Sequence, residues 1–78
     1  MAKPPAGLSG RDVIRALTRL GFQPARRSGS HVTLQGVGDA GTPRTCVVPD
    51  HREIAVGTLR AILKQADVAP ERFVEALR

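Results

Sequence analysis

The chain has 78 residues and a net charge of +5, with twelve basic side chains against seven acidic ones. A chain this short forms one domain with a small core, because it buries only about 60% of its unfolded surface. Hydrophobic residues at 41% and charged ones at 24% exclude a disordered tail, and no apolar run approaches the roughly 20 residues that cross a bilayer.

In chain order, residues 1–8 are rich in Pro, Gly and Ala and read as a flexible lead-in to a single domain over 9–78. Ser9-Gly10-Arg11-Asp12 has the form of a capping box, and Val13, Ile14, Leu17 and Leu20 follow at helical spacing. Gly21 stands where a left-handed helix stop belongs, and Arg11, Arg15 and Arg19 line the far face. Phe22 to Arg27 predicts a short strand at a sheet edge, since Pro24 cannot donate to a ladder. Ser28-Gly29-Ser30 predicts a turn, after which His31-Val32-Thr33-Leu34-Gln35 alternates with period two. Gly36 to Pro43 holds three glycines and reads as a long mobile hairpin loop, with Arg44 to Val48 returning as a strand ended by Pro49. Beyond the polar stretch Asp50 to Glu53, Leu59, Ile62, Leu63 and Ala66 form a helical stripe with Arg60 and Lys64 opposite. A last short helix opens at Pro70, where proline's fixed φ suits the first turn, and carries Phe73, Val74 and Leu77.

This order predicts a two-layer α+β domain: helix, three antiparallel strands, helix and a short extra helix, with the helices covering one sheet face. Val32 and Leu34 are the apolar pair of their strand and must face the helices, so His31 projects from the open face. A slip of one residue in register would reverse that assignment.

The charge points to a polyanionic partner, RNA or DNA, and ten of the twelve cations are arginines, whose fork matches phosphate oxygens. With no Trp, no Tyr and only Phe22 and Phe73, there is no surface for stacking single-stranded bases, so RNA contact runs through phosphates, sugars and polar groups. Cys46, the lone cysteine, reads as core and excludes an internal disulfide. Two histidines and one cysteine without paired spacing do not make a structural zinc site, so no cofactor or metal is expected. The glycines at 36, 38 and 41 are not a phosphate loop, because no Lys-Ser or Lys-Thr helix start follows them. The N-terminus has no hydrophobic stretch behind Lys3, so the expected compartment is the cytoplasm.

His31 is the strongest chemical candidate. An imidazole exchanges protons near neutral pH, and cleavage of RNA by its own 2′-hydroxyl needs a base, an acid and cations on the phosphate. A histidine following a glycine turn beside Arg26 and Arg27 meets those needs without a metal, although most surface histidines in strands are inert. His51 is either an auxiliary group or a packed loop residue.

Four ordered segments resemble the HicA (YcfA-like) toxins: Ser9 to Ile14 with Gly21-Phe22, Arg26-Arg27-Ser28-Gly29-Ser30-His31, Val47-Val48-Pro49 with His51, and Gly57 to Ala66. The resemblance covers roughly residues 8 to 75 and implies a fold like that of double-stranded-RNA-binding domains. It also implies an mRNA interferase of a type II toxin–antitoxin pair, a ribonuclease that blocks translation until a HicB-type antitoxin masks it. The family's catalytic histidine falls on His31; where many relatives carry a second histidine directly after it, this chain has Val32. On this reading Arg26, Arg27, Ser30, Arg11, Arg15 and Lys64 contact RNA phosphates. The second proton carrier is His51 or water, and operator DNA is met only through the antitoxin complex. The alternative from another class is a non-catalytic module that binds structured RNA with the same basic surface.

Overall fold

The computed structural model describes residues 4–78. Helix α1 spans Gly10–Arg19, strands β1, β2 and β3 span Gln23–Ser28, His31–Val37 and Pro43–Pro49, and helices α2 and α3 span Val56–Ala66 and Pro70–Ala76. The sheet is antiparallel with order β1-β2-β3, as the sequence pattern predicts.

Helices α1 and α3 begin for local reasons. At α1 the Ser9 hydroxyl accepts from the Asp12 amide at 3.1 Å while the Asp12 carboxylate accepts from the Ser9 amide at 3.0 Å, a complete capping box. Gly21, at φ +98°, then turns the chain out of the helix. Pro70 opens α3, and Arg19 donates to the Ala76 and Arg78 carbonyls at 2.8 and 2.7 Å, closing its far end. Arg19 thus serves the fold, and Arg11, Arg15 and Arg19 are all exposed on α1.

The core lies between the helices and one face of β2 and β3. Val32, Leu34, Cys46 and Val48 meet Val13, Leu17, Leu59, Ile62, Leu63 and Phe73 there, all buried. Phe22 and Phe73 are core residues. No helix covers β1, whose six residues are exposed throughout. The reason is its composition: in Gln23-Pro24-Ala25-Arg26-Arg27-Ser28 the only apolar side chains are the Pro24 ring and the Ala25 methyl. Its outer edge is blunted by Pro24 and by a bulge at Ala25, where the pairing passes from Pro24–Leu34 to Arg26–Thr33. Of the lead-in, residues 1–3 lie outside the described part. Leu8 packs against the core, and its carbonyl accepts from the Ile54 amide at 2.7 Å.

The structure corrects the expectation of a long mobile loop over 36–43. Strand pairing continues through Gly36–Arg44 and Val37–Pro43, leaving a connection of 38–42 only. The glycines allow close packing here: a Cβ on Gly36 would lie 2.6 Å from the Phe22 ring, and one on Gly38 2.6 Å from the Asp67 Cβ. The connection is also tied to the α2–α3 junction. Asp39 donates its amide to the Asp67 carbonyl at 2.7 Å, its carboxylate accepts from the Ala69 amide at 2.8 Å and pairs with Arg72, and the Asp67 carboxylate accepts from the Ala40 amide at 2.8 Å. Composition signalled flexibility; reciprocal carboxylate bonds removed it.

These carboxylates carry a pH dependence. The Ala69 amide, with Arg72 beside it, holds Asp39 below its ordinary value of 3.8, and the Ser9 amide does the same for Asp12. Because both are lowered in the fold, their stabilisation is complete above about pH 4 and is lost as pH falls through the lowered values. Thermal melts are expected to show stability declining below about pH 4, with a shallower decline in Asp39→Asn. An identical acid slope in that variant would remove Asp39 from the account.

Candidate functional site

The site is built at the end of the sheet where β1 turns into β2. Gly29-Ser30 is a two-residue turn that sets Ser28 opposite His31. Gly29 has φ +58° and Ser30 has no positive φ, the sign pattern of a type II′ turn with glycine first. Val32 and Leu34 are buried, and His31 is exposed on the opposite face, where the alternation placed it. Across that face His31 is flanked by Ser28 and Pro49, and the next row is Arg26, Thr33 and Val47. Arg26 therefore stands diagonal to His31, a spacing of about 7–8 Å that long side chains bridge. Among the described residues the His31 ring has no hydrogen-bond partner.

The two neighbouring arginines part company. The two-residue turn puts Arg27 opposite Val32, on the helix side, and Arg26 opposite Thr33, on the His31 face. Arg27 donates to the Gly29 carbonyl at 3.1 Å and to the Asp50 carboxylate at 2.9 Å. It braces the turn that presents His31. The pair is largely solvated, with side chains 58% and 22% exposed, so its energetic weight is small, about 1 kcal/mol at most.

The same end is stitched to β3 and α1. The Asp50 amide donates to the Ser30 carbonyl at 2.6 Å, and the Ser30 hydroxyl and His51 Nε2 share a hydrogen bond at 3.3 Å. The His51 carbonyl accepts from the Gly10 amide at 2.8 Å. Ser30 and His51 thus meet beside the strand position that presents His31, while Arg26 lies on the His31 face and Arg11 follows Gly10 at the start of α1. Lys64 is not brought there. It lies on α2 beside Arg44 and Arg60, near the Gly36 end of β2, roughly 17 Å along the strand from His31 at about 3.4 Å per residue. Asp50 was not singled out by the sequence. Its signal was the antiparallel register itself, since pairing Pro49 with His31 puts residue 50 beside residue 30.

Burial pushes the Cys46 thiol up to about 11, so it is a core residue and no nucleophile. Among the described residues, no three His, Cys, Asp or Glu side chains gather as a metal cage. No helix among them is long and apolar enough to cross a membrane.

The family model of the HicA toxin of bacterial toxin–antitoxin matches residues 10–68 of the 78. The chain belongs to the HicA toxin family. The match runs from the first residue of α1 through Val68 and so contains the whole sheet, the Gly29-Ser30 turn and His31. No curated protein and no solved structure matches the chain. As a HicA toxin it is the toxin of a toxin–antitoxin system, and an antitoxin is its implied partner.

Proposed function

We propose that this HicA toxin is a metal-independent endoribonuclease that cleaves mRNA and so blocks translation, with His31 as its catalytic residue. The ribose 2′-oxygen attacks the adjacent phosphorus and the bond to the 5′-oxygen breaks. One proton leaves the 2′-hydroxyl, one reaches the departing 5′-oxygen, and the products are a 2′,3′-cyclic phosphate and a 5′-hydroxyl. His31 carries one of these transfers, and His51 or water carries the other. Arg26 holds the phosphate and offsets its growing charge. Ser30 and Arg11 supply further phosphate contacts at this end, and Arg15 extends them along α1. Arg27 acts by bracing the turn.

The observation that carries this reading is an exposed imidazole on the wet face of the sheet, with no hydrogen-bond partner among the described residues and an arginine on its diagonal. An inert surface histidine would need neither. The net charge of +5 supports the polyanionic substrate. The family resemblance implies a HicB-type antitoxin as the inhibiting partner, with operator DNA met only through their complex, and the same charge argues that this partner covers cationic surface. Nothing in the proposed chemistry calls for an export signal, and the proposed compartment is the cytoplasm, where mRNA is.

Labelled mRNA incubated with the purified protein in EDTA is expected to yield fragments ending in cyclic phosphates. Shifted but intact RNA would instead support the non-catalytic RNA-binding reading and end the nuclease proposal.

A further inference from the structure

Far from His31, α2, the start of β3 and the α2–α3 junction enclose an open groove of about 680 Å³. Its floor is aliphatic, formed by Leu63, Val68 and Pro70, and its rim carries Arg44, Arg60 and Lys64. Among the described residues none of these three cations has a carboxylate partner. The two carboxylates beside them are already engaged, Asp39 with the Ala69 amide and Arg72, and Asp67 with the Ala40 amide. Arg72 matches Asp39, and Asp67 keeps its negative charge, so the groove presents three cations against one unmatched carboxylate: a net positive rim over an apolar surface, on elements tied together by the 38–42 connection.

We propose that this groove is a docking site for an acidic segment of the antitoxin. One aliphatic side chain of that segment lies on the Leu63–Val68–Pro70 floor, and flanking Asp or Glu carboxylates pair with Arg44, Arg60 and Lys64. Charge complementarity selects the occupant. The floor holds no aromatic ring on which an RNA base would stack, whereas it matches an aliphatic side chain. A second copy of this chain would bring another net +5 against the rim. The inference rests on membership of a toxin–antitoxin family and is independent of how the toxin acts.

The test is the double variant Arg44→Glu/Arg60→Glu, titrated with the cognate antitoxin in the absence of RNA and expressed in cells with and without it. The expected result is antitoxin affinity at least tenfold weaker, residual binding less sensitive to salt, and growth arrest that co-expressed antitoxin no longer relieves. The arrest itself is retained, which shows that the variant is folded. Arg60→Gln alone should lose affinity in the same direction by a smaller factor. Unchanged affinity and full relief of arrest would overturn the proposal. Loss of RNA binding with antitoxin affinity unchanged would overturn it too, and would assign the groove to RNA. Because affinity is read without RNA, it stands or falls separately from the ribonuclease reading.

Discussion

Replacing His31 with alanine is expected to abolish growth arrest and reduce RNA cleavage by about 10²–10⁴-fold, the usual contribution of a positioned acid or base. The protein should stay folded. His31 is exposed and makes no hydrogen bond among the described residues, so its loss should change stability by no more than about 0.5 kcal/mol. Affinity for uncleaved RNA should also be nearly unchanged, because phosphate binding rests on arginines that remain. Catalysis is thereby separated from folding and from binding at one position. Equal growth arrest from wild type and variant, at equal protein level, would remove His31 from the mechanism. Loss of arrest together with a large fall in melting temperature would mean that the residue is structural.

Gly10→Ala is expected to destabilise the fold by about 2 kcal/mol, against the direction of helix propensity. Gly10 is the first residue of α1, and alanine is favoured over glycine in helix interiors by up to about 1 kcal/mol. A Cβ at this position, however, would lie 2.7 Å from the Asp50 Cα and closer still to the Pro49 carbonyl oxygen. Both obstacles are backbone, so relief means moving α1 away from the end of β3. That movement would also strain the bond from the Gly10 amide to the His51 carbonyl and disturb the segment that meets Ser30. A loss of this size lowers the melting temperature of so small a domain by about 10 °C. Gly57→Ala is the matched control. Gly57 lies in α2 with nothing within 4 Å of its added Cβ, so this substitution should be neutral or stabilising. If both substitutions stabilise equally, the close approach of α1 to Pro49 is wrong.

Much of this fold is legible in local chemistry. A capping box, a glycine stop and an aliphatic stripe fix α1, and Pro70 marks the start of α3, because each effect acts within a few residues of its cause. The exposed face of His31 follows equally directly. Val32 and Leu34 are the only aliphatic pair in their segment, burying them leaves one orientation, and pleated alternation sends residue 31 the other way. What misled was composition taken without tertiary partners. Glycines at 36 and 38 suggested a loose loop, yet they are small because Phe22 and Asp67 press against them across long sequence distances.

The assignment of the two arginines could come only from the assembled sheet. Arg26 and Arg27 are the same residue type in adjacent positions, and local propensity gives no reason to prefer either for the His31 face. The turn decides it: a two-residue loop sets Ser28 opposite His31 and the pairing runs unbroken from there to Arg26, whereas a turn one residue longer would exchange the faces of the two arginines. The bulge at Ala25 lies beyond Arg26 and re-seats only Pro24 and Gln23. The rim of Arg44, Arg60 and Lys64 has the same origin: a β-strand and a helix, separated in the chain, acquire a shared surface only when α2 packs over β3.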